Sequence, residues 1–175
     1  TTAAPGLALP VARTVAAMVD MPVFVEENRL LLNGYDNDRK QYDARAILDR
    51  LFLQKRRLKT DDPLLLVVQH DLFDQGSDFV FGLARASAGT AVVSALRLDN
   101  RYYGRVESDP DLVERIAKES AHEIGHLEGL DHCADPECIM FPPRTLDELD
   151  RKRKVFCHPC RERLAGLRRR RIRAP

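Results

Sequence analysis

The eleven residues His122-Glu-Ile-Gly-His-Leu-Glu-Gly-Leu-Asp-His132 carry the strongest structural signal in this chain, and they follow the pattern H-E-x-x-H-x-x-G-x-x-H. The first two histidines are four residues apart, so on a helix they lie on one face, one turn apart. Gly129 can adopt a left-handed conformation at little steric cost, which would end the helix and let His132 approach as a third ligand. Three histidine nitrogens leave one tetrahedral position open for water, as is typical of a catalytic zinc site.

Glu123 is the candidate general base of this site. It follows His122 directly, so it borders the metal without having to bind it. Zinc lowers the pKa of a bound water to about 7 and polarises a carbonyl, while a neighbouring carboxylate can move the proton to a leaving amine. The motif therefore predicts peptide-bond hydrolysis. An isolated H-E-x-x-H can also be an exposed charged helix, but Gly129 and His132 stand at the spacings that a metal requires.

All four cysteines follow within a short stretch, and they predict a second metal site: Cys133, Cys138, Cys157 and Cys160. The last two form a C-x-x-C pair, and four thiolates around zinc make a closed, structural site. Two disulfides are the alternative, but four cysteines in 175 residues fall below the density of a disulfide scaffold. His158 lies inside the C-x-x-C pair and is expected to be solvated rather than a ligand.

The two predicted metal sites are adjacent in the chain. Cys133 follows His132 directly, and Cys138 precedes Met140 by two residues. We therefore expect the cysteine cluster to hold the third histidine and the turn at Met140 together. Gly125, in the middle of the helix, costs about 1 kcal/mol relative to alanine and is expected to permit a close approach by the segment around Met140.

The histidine motif, the methionine and the cysteine pattern together resemble the archaemetzincins, a family of metzincin zinc metallopeptidases. The segments Phe79-Val-Phe-Gly-Leu-Ala and Ala91-Val-Val-Ser also resemble the family. The resemblance implies that Glu123 is the base, that Met140 forms a Met-turn beneath the metal without binding it, and that three histidines bind catalytic zinc, namely His122, His126 and His132. Two features depart from the pattern. The loop before the C-x-x-C pair is one residue shorter than usual, and no tyrosine follows the methionine.

The resemblance implies an α+β (α/β-like) fold of the metzincin or zincin type. A twisted mixed β-sheet with an edge hairpin, an active-site helix and a backing helix would form residues 1–129, and a small zinc-stapled subdomain would form residues 130–175. Hydrophobic residues make up 44% of the chain, enough for one globular core. Periodicity and turn residues predict helices over 11–19, 44–58 and from Asp109, and strands over 22–25, 64–68, 79–86 and 90–98.

In metzincins an edge strand above the active-site helix pairs with the extended substrate. The candidate here is the segment Phe79, Val80, Phe81, Gly82 and Leu83, which would supply backbone hydrogen bonds. The alternative is an ordinary hairpin strand without contact to substrate.

Charge is concentrated at the C-terminal end. The chain carries a formal net charge of +1, yet eleven Lys or Arg residues face a single acid, Glu162, between Arg151 and Pro175. Nucleic-acid contact or docking on an acidic partner is one interpretation. The favoured one is a solvated tail or a helix end lying on its own acidic domain, because no aromatic residues for base stacking lie among the arginines.

We expect a cytoplasmic, monomeric enzyme with two zinc ions and a peptide or protein substrate. No run of about twenty apolar residues predicts a membrane span, and the first residues lack a basic leader. The alternative function is a catalytically silent zinc protein that binds an acidic partner. The intact Glu123 and the complete histidine set favour the enzyme.

Overall fold

Five α-helices and six short strands form the part of the chain that the computed structural model describes, residues 6–26 and 30–173. Residues 1–5 and the last two residues of the basic tail lie outside it. The helices are α1 Ala8–Val19, α2 Ala44–Leu58, α3 Asp109–Leu127, α4 Leu146–Arg151 and α5 His158–Arg173. The strands are β1 Tyr35–Asp36, β2 Gln41–Asp43, β3 Leu64–Val68, β4 Leu72–Phe73, β5 Gly82–Arg85 and β6 Thr90–Ser94. None of the described helices is both long enough and apolar enough to cross a bilayer.

The strands form two three-stranded mixed sheets, in the orders β1-β2-β4 and β3-β6-β5. In the second sheet β6 is central, parallel to β3 and antiparallel to β5. Every residue of β6 is buried, whereas β3, predicted to be buried on both faces, is half-buried because it lies at a sheet edge. The β5–β6 hairpin turns through Gly89, whose φ is +62°.

Helices α2 and α3 cover opposite faces of this sheet. Neighbouring residues of a strand point to opposite faces. Val92 of β6 accordingly packs in a cluster with Ile47 of α2, and Val93 packs in the larger core with Ile116 of α3. Helix α3 is the predicted active-site helix and α2 the predicted backing helix, so the α+β architecture is confirmed.

Local sequence explains the ends of these helices. The Asp43 carboxylate accepts a hydrogen bond from the Arg45 N–H at 2.8 Å and caps α2. The sequence predicts Asp109 as the N-cap of α3, but Ser108 is the N-cap and Asp109 is the first residue of the helix. Pro110 occupies the first turn, where its missing N–H costs nothing.

Several predictions of local structure differ from the structure. Helix α1 begins at Ala8 rather than at residue 11, and β5 and β6 are shorter than the strands predicted over 79–86 and 90–98. Residues 22–25 form no strand, since no neighbouring strand pairs with them in the described ranges. Residues 33–40 before α2, whose Asn-Gly pair and polar composition predict a loop, instead contain β1, which pairs with β2. The larger core draws on both α1 and α5, and the division at residue 130 remains a prediction.

Candidate active site

Three histidines converge at the C-terminal end of α3. One ring nitrogen from each of His122, His126 and His132 lies within 4.8 Å of the other two. His122 is buried, His126 is half-buried and His132 is exposed. The group is therefore anchored in the core at one side and reachable from solvent at the other, as the sequence predicts for a site with an open position.

Hydrogen bonds orient the first two imidazoles toward a common point. Nδ1 of His122 donates to the Ile139 carbonyl at 2.9 Å, and Nδ1 of His126 donates to the Leu130 carbonyl at 2.8 Å. A carbonyl only accepts, so both rings carry their proton on Nδ1 and leave Nε2 bare. The two Nε2 atoms nevertheless lie 3.0 Å apart.

This arrangement fits a zinc ion. Two nitrogens on one tetrahedral zinc, each at about 2.0–2.1 Å, lie about 3.3 Å from each other. Two bare lone pairs at 3.0 Å repel unless a cation lies between them. Burial lowers the pKa of His122 well below its ordinary value, and it also lowers the pKa of His126 and His132. The rings are thus neutral near pH 7, which is the form that binds metal.

The turn after α3 brings His132 back to the helix. Gly129 has a φ of +96°, the left-handed conformation expected from the motif. Its N–H donates to the His126 carbonyl at 3.0 Å, and the Leu130 N–H donates to the Gly125 carbonyl at 2.9 Å. These bonds cap α3 and fix the path to the third histidine.

Met140 lies directly against Gly125, between the first two histidines of the helix. A Cβ atom added to Gly125 would clash with Met140 Sδ and lie 3.3 Å from a ring carbon of Phe156. Met140 is completely buried. The absence of a side chain at position 125 therefore lets Met140 pack against α3, which is the close approach expected of this glycine.

Glu123 lies under strand β5 and is not part of the histidine group. A Cβ added to Gly82 would lie 2.5 Å from Glu123 Oε1, so the β5 backbone passes directly over this carboxylate. Burial, together with the negative charge of Glu119, raises the pKa of Glu123 well above its ordinary value.

The four cysteines form the second predicted group, with their sulfur atoms also within 4.8 Å of one another. All four are free thiols, with Sγ of Cys133 and Cys157 3.7 Å apart. The Cys133 N–H donates to the Met140 carbonyl at 2.9 Å, and the Met140 N–H donates to Cys138 Sγ at 3.4 Å. The cluster is therefore bonded directly to the methionine turn. His158 is exposed and is not part of the cluster.

Sequence reasoning missed a buried ion pair behind the catalytic helix. Lys152 Nζ lies 4.0 Å from Glu119 Oε2, and their side chains are 0% and 5% exposed. Burial raises the pKa of Glu119 and lowers the pKa of Lys152, and each charge opposes the effect on the other. One feature of the sequence could have drawn attention to Glu119, because this residue lies four positions before Glu123 and therefore on the same face of the helix. Lys152 had no such feature, because only the tertiary fold brings it to α3.

The predicted substrate segment is divided between β5 and the chain before it. Gly82 and Leu83 belong to β5, which lies at the edge of its sheet. Phe79, Val80 and Phe81 precede the strand. The Val80 N–H already donates to the Leu72 carbonyl, and the Phe81 carbonyl already accepts from the Ser94 N–H.

Comparisons with known proteins agree with this geometry. The model of peptidase family M54 matches residues 7–166. An archaemetzincin from Sulfolobus acidocaldarius is 34% identical over 154 residues, which cover 87% of this chain and 85% of that protein.

Solved structures are similar over nearly the whole chain. A zinc-dependent peptidase from Methanocorpusculum labreanum has a TM-score of 0.88 and 45% identity, covering 92% of this chain and 95% of its own. The archaemetzincin from Methanopyrus kandleri has a TM-score of 0.80 and 38% identity, covering 97% of this chain and 91% of its own. The chain therefore belongs to peptidase family M54 with the archaemetzincins, and it is a zinc-dependent metallopeptidase that acts on peptides or proteins.

Proposed function

We propose that His122, His126 and His132 bind the catalytic zinc and that Glu123 is the general base of peptide hydrolysis. The observation that carries this proposal is the pair of bare Nε2 atoms facing each other at 3.0 Å, each ring held from behind by a backbone carbonyl. Neutral imidazoles oriented in this way are the usual zinc ligands, with the second nitrogen bonded to a carbonyl.

Zinc bound there would polarise the scissile carbonyl and lower the pKa of a water molecule. Glu123 takes a proton from the attacking water and delivers it to the leaving amine nitrogen. Its burial under β5 holds the carboxyl group in one place.

We propose that extended substrate adds to the edge of β5. Gly82 and Leu83 lie on this strand, and Gly82 is directly above Glu123. A peptide paired there would run past the base and toward the histidines by β-augmentation. The three preceding residues Phe79, Val80 and Phe81 would flank the substrate, since backbone groups of Val80 and Phe81 are already used within the protein.

We further propose a second, structural zinc at Cys133, Cys138, Cys157 and Cys160, so that the enzyme binds two ions. Free thiols within 4.8 Å of one another support this, because a closed four-cysteine site needs four thiolates. Metal analysis of the purified protein should give two zinc ions per chain, and one after His122→Ala with His126→Ala. One zinc in the unaltered protein would reject the proposed stoichiometry.

The remaining assignments are also proposals. Met140 serves as the Met-turn of a metzincin-type site. The four free thiols suit the reducing cytoplasm. The enzyme acts as a monomer with residues 1–129 and 130–175 as its two parts.

The decisive experiment compares the unaltered protein with Glu123→Ala. Both should bind zinc equally, and only the unaltered protein should cleave a broad library of peptides. Loss of general-base catalysis by itself removes about 10²–10⁴-fold in rate. If the zinc-loaded unaltered protein cleaves no peptide in the library, a binding module replaces the peptidase. If Glu123→Ala retains full activity, another residue is the base.

A further inference from the structure

The turn between the second and third histidines is enclosed by α5, the helix that carries the arginine-rich end. Leu167 of α5 packs at Gly129, where an added Cβ would lie 3.5 Å from Leu167 Cδ1. Arg163 of α5 pairs with Asp131 at 2.6 Å. Contacts from one helix therefore reach both the middle of the turn and the residue just before His132.

Two arginines of α5 hold a single buried carboxylate at the start of this turn. Glu128 is only 5% exposed. Arg168 Nε donates to Glu128 Oε2 at 3.1 Å, and Arg171 Nη1 donates to Glu128 Oε1 at 2.8 Å. Both carboxylate oxygens are thus engaged, which a buried charge requires.

The same guanidinium groups also bind backbone carbonyls on either side. Arg168 Nη2 donates to the Val19 carbonyl at the end of α1, at 2.8 Å. Arg171 Nη2 donates to the Leu127 carbonyl at the end of α3, at 3.0 Å. The two arginines therefore connect three helix ends, α1, α3 and α5, at the point where the chain leaves the active-site helix.

We propose that Glu128, Arg168 and Arg171 are positioning residues for the third zinc-binding histidine. His122 and His126 are fixed by α3, but His132 is exposed and follows a turn, so its place depends on what holds that turn. The arginine clamp, defined as Arg168 and Arg171 bonded to Glu128, holds Glu128, the first residue of this turn. This inference rests on the proposed zinc site at the histidines and assigns part of the basic end an internal role.

The test uses a matched pair of double variants of the full chain. Arg168→Ala with Arg171→Ala removes the clamp. Arg169→Ala with Arg170→Ala removes the same charge from the same helix. The side chains of these two arginines are exposed and form no hydrogen bond or ion pair within the described part of the chain. Each protein is titrated with Co²⁺, because sulfur-to-cobalt absorption reports the cysteine site separately from the histidine site.

Loss of the clamp should weaken metal affinity at the histidines by about 10–100-fold, the usual effect of removing groups that orient ligands. The cysteine site and the control variant should keep the affinities of the unaltered protein. At saturating metal, kcat of the clamp variant should recover, since the chemistry itself is intact. Equal affinities at the histidines in both double variants would overturn the proposal.

Glu128→Gln provides a second measurement if the double variant does not fold. It keeps the size of the side chain and removes its charge, and it should weaken the histidine site in the same direction. Unchanged affinity in this variant would also overturn the clamp. If the unaltered protein binds no metal at the histidines, the proposed function itself fails, and that result is visible before any variant is compared.

Discussion

Replacing Gly82 with alanine should separate catalysis from metal binding. The added Cβ would lie 2.5 Å from Glu123 Oε1 and 2.9 Å from its Cγ. Carbon contacts at their optimum are about 3.5 Å or longer, so the carboxylate must move by about 1 Å. Glu123 is 3% exposed and cannot turn into solvent. The φ of Gly82 is not positive, so alanine adds no backbone strain.

A displacement of about 1 Å at a reacting group can lower the rate by about 100-fold. This factor corresponds to about 2.7 kcal/mol of transition-state stabilisation. We therefore expect kcat/KM of Gly82→Ala to fall by about 100-fold on a fluorogenic peptide, with zinc content unchanged.

Ala84→Gly is the matched control. Ala84 lies on the same face of β5, two residues after Gly82, and the substitution exchanges the same two residue types in the reverse direction. It should retain activity close to that of the unaltered enzyme. Full activity in Gly82→Ala would refute the reasoning, since it would mean either that β5 does not confine Glu123 or that Glu123 is not the base.

Three further changes test other parts of the site. Cys157→Ser with Cys160→Ser should lower the melting temperature and also weaken metal at the histidines, as measured by thermal unfolding and metal analysis; unchanged affinity there would contradict the coupling. Lys152→Met leaves the Glu119 carboxylate buried alone and should lower the free energy of unfolding in urea by about 3–5 kcal/mol, whereas adding Glu119→Gln should restore part of the loss. Gly125→Ala forces a methyl group against the buried Met140 side chain and should destabilise the protein by about 1–3 kcal/mol despite better helix propensity, as measured by urea unfolding. A more stable variant would show that Met140 can move aside.

The grouping of the three histidines could be predicted from sequence because their spacing is local. His122 and His126 need only a helix, and Gly129 needs only a turn, so the convergence of His132 follows from short-range geometry. The grouping of the four cysteines could also be predicted from sequence. They form two closely spaced pairs that are separated by one short segment, so the chain can bring all four together in only a few arrangements. Helix α2 had the predicted bounds because its apolar spacing and its aspartate cap agree.

The missing parts depend on contacts between residues far apart in sequence. No local pattern relates Gly82 to Glu123, or Lys152 to Glu119, because each pair meets only when the sheet and the C-terminal segment pack on α3. The short strands of the first sheet were missed for a similar reason. Two or three residues carry too little periodicity to be distinguished from a loop.

Cys133 follows His132 directly, and its N–H donates a hydrogen bond to the Met140 carbonyl. This bond links the cysteine group to the histidine group. If an ion bound by the thiols stabilises this arrangement, it must raise the affinity of the imidazoles for their own ion. Reciprocity then requires that an ion bound by the imidazoles raises the affinity of the thiols by the same factor. Chelation that empties one centre would therefore loosen the other.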